Sequence, residues 1–147
     1  MRKLFIIFLF LIIGIMLVSC SHREDTNGES DTSLTTLNDG DIVNGASSLS
    51  SGRTENKRND RGEIKVNKFS GVQVIDSINV RDTSEVLTYK ITHESGNLRA
   101  VLVKDGEIYS DLVIDGNDNS ITLTESGKYD LKIAGESAKF EMEYKIK

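Results

Sequence analysis

The 147-residue chain has no proline, no tryptophan, one cysteine and two histidines. A single cysteine allows no intramolecular disulfide, so the folded part must stand on packing and hydrogen bonds, even in a compartment that permits disulfides. Zinc asks for three or four His, Cys or carboxylate ligands, and with His22 and His93 the only histidines the composition argues against it. Ser/His/Asp catalysis would have to recruit His93, but the chain contains no Gly-x-Ser-x-Gly stretch. His93 therefore reads as a surface residue at a strand end. The lack of tryptophan removes the usual stacking platform for sugar rings and leaves only tyrosine for that role. Positive charge is scarce as well: 18 Lys and Arg against 23 Asp and Glu give a net charge of −5. Nucleic-acid binding demands a basic patch and is disfavoured, as is attachment to anionic headgroups by charge alone.

What the sequence does have begins at the N-terminus. Met1-Arg2-Lys3 precedes a run from Leu4 to Val18, all apolar or Gly. That run is shorter than the roughly 20 residues a membrane-spanning helix needs. It matches the upper end of the roughly 7–15 residues of a secretory signal's apolar core, and the positive charge ahead of it fits export of the downstream chain. The run ends Leu17-Val18-Ser19-Cys20. This segment resembles the lipobox of bacterial lipoproteins: an aliphatic residue, a small or β-branched one, Gly/Ala/Ser, then Cys. The resemblance implies a signal peptide over 1–19, cleavage between Ser19 and Cys20 by signal peptidase II, and an S-diacylglycerol cysteine at Cys20 with N-acylation possible. A thiolate is a good nucleophile for such a transfer, and two acyl chains at about 0.8 kcal/mol per buried CH₂ give stable anchoring where one is marginal. Cys20 is read as an anchor and not as a catalyst. Without Arg2 and Lys3, 16 basic residues face 23 acidic ones, a charge of −7.

From Ser21 to Gly62, Ser, Thr, Asn, Asp and Gly dominate and aromatics are absent. Such a stretch buries too little apolar surface to offset its ordering entropy, so 20–62 reads as the lipidated cysteine and a flexible tether. Its r.m.s. span would be roughly 35 Å and its stretched reach about 140 Å. Arg53, Lys57, Arg58 and Arg61 form a basic cluster within it that could touch acidic headgroups or an acidic wall polymer. Glu55 and Asp60 are interleaved, so the cluster reads as a solvated stretch.

From Glu63 onward the pattern has period two, the signature of half-buried strands. Ile64/Val66, Val72/Val74, Ile78/Val80 and Leu87/Tyr89/Ile91 alternate, and so do Leu98/Ala100/Leu102 before a strong hairpin signal at Asp105-Gly106. The return strand reads in either of two phases, Ile108/Ser110/Leu112/Ile114 or Tyr109/Asp111/Val113. Ile121/Leu123 and Tyr129/Leu131/Ile133 come next, then a turn at Gly135-Glu136 and a last strand through Ala138, Phe140, Met142, Tyr144 and Ile146. Seven or eight short strands in about 85 residues predict an all-β domain over 63–147, a small antiparallel β-sandwich of the immunoglobulin-like or jelly-roll class, with a small β-barrel as the alternative. The closing stretch, with Gly127, Tyr129, Gly135, Ala138 and Phe140, also resembles the end of small β-sandwich domains in uncharacterised bacterial lipoproteins. That resemblance implies a fold and no activity.

Two clusters invite a chemical reading. Asp115, Asn117 and Asn119, with Asp118 among them, have the spacing that opens a calcium loop. However, Ser120 stands where such loops need Gly and Ser126 where they need a bidentate Glu, so a β-turn without metal is expected. Glu141 and Glu143, flanked by Lys139 and Lys145, share one strand face, side by side and not across a substrate as a glycosidase pair would be.

The sequence thus points to a lipid-anchored, extracytoplasmic cell-envelope lipoprotein. Its domain reads as a non-enzymatic binding or interaction module, with no cofactor, no metal and no nucleic acid. Its partners would be the membrane through the lipid anchor and an envelope protein or wall polymer. An envelope enzyme with an unrecognised site, or an inhibitor or accessory subunit of a membrane complex, are the alternatives. Ser21 after the cysteine, where Asp tends to retain lipoproteins at the inner membrane, implies the outer membrane if the envelope has two.

Overall fold

The computed structural model of the protein describes residues 37–81 and 85–147. The expected signal peptide, the lipobox-like segment with Cys20 and the expected tether up to residue 36 lie outside the described residues. The elements are helix α1 (Asp39–Asn44) and strands β1 (Ser48–Arg58), β2 (Arg61–Val80), β3 (Glu85–Lys104), β4 (Glu107–Asp111), β5 (Asp118–Leu123) and β6 (Gly127–Ile146). All pairings are antiparallel. The strand order is β1-β2-β6-β3-β4, with β5 also paired to β3, and the sheet does not close into the alternative barrel. The protein is all-β and sandwich-like.

Among the described residues, five strands, β2 to β6, stand where seven or eight were expected, because β2, β3 and β6 each join segments that read as separate strands. Each of the three is 20 residues long and is interrupted by bulges at matching positions. Register shifts fall around Phe69 and Gly71 in β2 and between His93 and Asn97 in β3. Opposite them on β6 lie Gly135 and Ser137, the latter at φ 50°. Gly71 has φ 111° and Gly96 φ 78°, conformations that a side chain resists. A Cβ on Gly96 would also come within 2.4 Å of the Ser137 carbonyl oxygen. Bulges bend a strand and raise its twist, and three aligned ones bend the sheet. Gly135-Glu136, expected as a turn between strands, is part of this bend. It shifts the alternation, so that Tyr129, Leu131 and Ile133 face inward before it and Ala138, Phe140, Met142 and Tyr144 after it.

The bend yields two layers that share three strands. The first holds β1, β2 to Phe69, β6 from Ala138, β3 to His93, and β5. The second holds β2 from Gly71, β6 to Gly135, β3 from Asn97, and β4. The core between them draws Ile64, Val66, Phe69, Leu87, Ile91, Phe140 and Met142 from the first layer, and Ile78, Ala100, Leu102, Tyr129, Leu131 and Ile133 from the second. Polar contacts bind the layers too. The Tyr144 hydroxyl donates to Asp76 Oδ2 at 2.8 Å, and Lys57 Nζ reaches Asp76 Oδ1 at 2.7 Å. The predicted hairpin at Asp105-Gly106 is present, with both residues at positive φ, 52° and 80°, and Lys104 opposite Glu107.

The tether expectation fails for residues 37–62, and the domain does not begin at 63. Strand β1 pairs with β2 from Ser48↔Gly71 to Arg58↔Arg61. Before it, Asn38 caps α1, its side chain accepting from the Asp41 N–H at 2.9 Å. A helix of six residues has no stability of its own; it is held because Ile42 is fully buried on the outer face of the second layer against Val72, Val101, Val103 and Ala134. That cover explains why 100–103 and 131–134 are buried without alternation. Beneath the helix lies Lys132, 5% exposed, whose Nζ donates to the carbonyls of Ile42 (3.1 Å), Val43 (2.6 Å) and Gly45 (3.1 Å).

Candidate functional site

Among the described residues, no helix covers the outer face of the first layer. Strand alternation puts polar side chains there, and the register aligns them in rows across the sheet. One row runs Asn56, Glu63, Glu143, Lys90, Asp118; the next runs Arg58, Arg61, Lys145, Thr88, Ser120. Together they line an open groove of about 770 Å³. Like charges stand directly opposite each other on neighbouring strands: Glu63 against Glu143, and Arg61 against both Arg58 and Lys145. Such pairs are destabilising on a sheet. A third row begins beyond Glu63 with Lys65 and Glu141, which form an ion pair, and this contact holds the Lys65 pKa above its ordinary value.

The basic cluster of the sequence is split by the fold. Arg53 pairs with Glu55 at 2.7 Å and also reaches Gln73, and Lys57 pairs with Asp76. Arg58 and Arg61 instead face the groove. Arg61 contacts Asp60 at 3.3 Å, and that hydrogen bond lowers the Asp60 pKa. Arg58, Lys90 and Lys145 form no ion pair among the described residues.

Asp115, Asn117 and Asn119 do come together, but as a turn knotted by its own amides. Asp115 Oδ1 accepts from the Asn117 N–H at 2.9 Å and from Asn119 Nδ2 at 3.0 Å, and Oδ2 accepts from Asn117 Nδ2 at 3.1 Å. The backbone donor first, then the side-chain amides, hold the Asp115 carboxyl below its usual range. Its oxygens are thus turned to N–H donors. Asp118 is not part of this knot; it lies on β5 beside Lys90 in the groove. Among the described residues no three His, Cys, Asp or Glu side chains converge as metal ligands. His93 is exposed at the β3 bulge, with Nε2 2.9 Å from the Ser95 carbonyl. Glu141 and Glu143 share an outward face, as expected, and they differ in partner: Glu141 has Lys65, and Glu143 stands between Glu63 and Lys90. The opposition of Glu63 to Glu143 was hidden in the sequence, because only the β2–β6 register creates it.

Two buried tyrosines titrate away from their ordinary range, Tyr144 behind the groove and Tyr129 in the second layer. Burial, with Asp76 second, raises the Tyr144 pKa, and burial raises that of Tyr129. A raised pKa in the folded state means that the fold keeps the proton where the unfolded chain has lost it. The stability this contributes is complete below about pH 10 and falls as pH rises beyond it. Tyr144→Phe is therefore expected to lose less stability than the unmodified protein between about pH 9 and pH 11. Urea midpoints at the two pH values measure this, and parallel losses would show that Tyr144 does not report the alkaline transition.

No known protein family matches the chain, and no curated protein matches it at a significant level. No helix among the described residues is long and apolar enough to cross a membrane.

Proposed function

We propose that the protein is a lipid-anchored envelope lipoprotein whose β-domain is a non-enzymatic binding module, with the groove of the first layer as its contact surface. The anchor rests on Leu17-Val18-Ser19-Cys20 behind the apolar run from Leu4 to Val18. The observation that carries the binding reading is the groove itself: charged and hydroxyl side chains of five strands face one open concavity. That groove lies on the outer face of the first layer, whereas α1, through which the chain enters the described domain, covers the second.

Cys20→Ala is expected to abolish acylation and leave the uncleaved precursor. Cells expressing either form are labelled with radioactive palmitate and fractionated. Equal label on both forms would exclude Cys20 as the acylation site.

A further inference from the structure

We infer that the groove takes an extended phosphodiester polyanion, lying across the strands along the row Arg58, Arg61, Lys145, Thr88, Ser120; this rests on the binding-module reading. Neighbouring strands are about 4.8 Å apart, so the three cations lie within roughly 10 Å of one another, and two hydroxyl side chains continue the line. The cations are set against each other with one carboxylate, Asp60, at the edge of the row. Their mutual repulsion is relieved when an anion enters between them. Two of the three are arginines, whose planar fork matches phosphate oxygens in pairs. The direction of the ligand is set by the neighbouring row. Glu63 and Glu143 stand opposite each other one step along the strands and repel a second phosphate there. An anionic chain is thus confined to the cationic row and cannot run parallel to the strands. The split of the basic cluster supports the same assignment, since Arg53 and Lys57 are taken up by Glu55 and Asp76 while Arg58 and Arg61 are turned to the groove.

The test uses the full chain in non-ionic detergent, titrated at low salt with a synthetic glycerol-phosphate oligomer of about eight units and, separately, with glycerophosphoglycerol, a single phosphodiester of the headgroup type. The oligomer is expected to bind with an affinity that falls steeply with salt, the log–log slope easing by about 1 for each phosphate contact removed. Arg58→Gln and Lys145→Gln are each expected to weaken binding at least threefold, and Glu143→Gln to tighten it at least twofold. Because these side chains project from an outer face and stand against like charges, urea midpoints no lower than that of the unmodified protein check that the variants fold. Tighter binding of the oligomer than of glycerophosphoglycerol assigns the site to a polymer, and equal binding assigns it to a single phosphodiester such as a lipid headgroup. Absence of binding by both probes overturns the inference, as does binding that Arg58→Gln and Lys145→Gln leave unchanged. If neither probe binds but Arg58→Gln still loses a protein crosslinked to the groove in native membranes, the ligand class falls and the binding-module reading stands.

Discussion

Phe140→Ala is expected to cost roughly 3–5 kcal/mol, the usual range for truncating a buried Phe. Phe140 is 1% exposed and sits next to the bend, paired in register with Val66 of β2 and His93 of β3. Its ring meets that of Phe69 edge to face, with centroids 5.8 Å apart and planes at 89°. A missing ring there leaves a void that the neighbours cannot readily close, because Phe69 is itself seated over Gly135, where a Cβ would fall 2.8 Å from its ring. Against a domain stability of about 5–15 kcal/mol, the loss takes a large part of the whole. Glu141→Ala, one residue on and facing solvent with Lys65, should change stability by about 0.5 kcal/mol, as exposed ion pairs do. Urea unfolding of the two variants decides between the faces. A larger loss from Glu141→Ala would mean that the inward phase of β6 is misassigned.

That phase was legible in the sequence because one face of the strand is buried and the other is wet. Phe140, Met142 and Tyr144 are all 4% exposed or less, and the alternation is the direct result. The Asp105-Gly106 hairpin was legible for a different reason: two consecutive residues at positive φ demand that chemistry. Where both faces are in the same surroundings, the signal disappears. Strand β1 is an edge strand in which only Ser48 and Arg53 are even partly buried, so its composition is that of a coil. Edge strands carry charge for good reason, since it blunts pairing with other chains. At the other extreme, 100–103 and 131–134 are buried on both faces, and their cover, α1, contributes one fully buried residue, Ile42, from six. The bend was misread as a turn because both use Gly and small polar residues, and local sequence does not say whether pairing resumes beyond them. The groove was illegible for the plainest reason. Each of its side chains reads as part of a solvated face, and only the register places Arg58, Arg61 and Lys145 side by side.

Lys132→Met is expected to cost about 2–4 kcal/mol, the range for leaving buried acceptors of a charged donor unsatisfied. The substitution keeps the bulk of the stem and removes the three N–H groups that satisfy the carbonyls of Ile42, Val43 and Gly45. These carbonyls belong to the end of α1 and the residue after it, where a helix leaves acceptors without partners and where positive charge is favoured. No carboxylate pairs with the ammonium among the described residues; burial pushes its pKa down while the charge of Asp130 opposes the shift. The other end of α1 is fastened independently, since Arg99 donates to the Leu37 carbonyl at 2.9 Å and to Asp39 Oδ1 at 2.6 Å. The loss should therefore be local first. Hydrogen exchange at the Ile42 and Gly45 amides, which bond to Asn38 and Asp41 carbonyls, should quicken well before exchange in β6. A chain starting at residue 63 would lack α1 and β1 altogether, uncovering Val72, Val101, Val103 and Ala134 and leaving Lys132 without its carbonyls. It should be less stable than Lys132→Met. An unchanged urea midpoint for Lys132→Met, together with unaltered exchange at Ile42, would mean that Ile42 packing alone holds the helix and that the lysine only fills space.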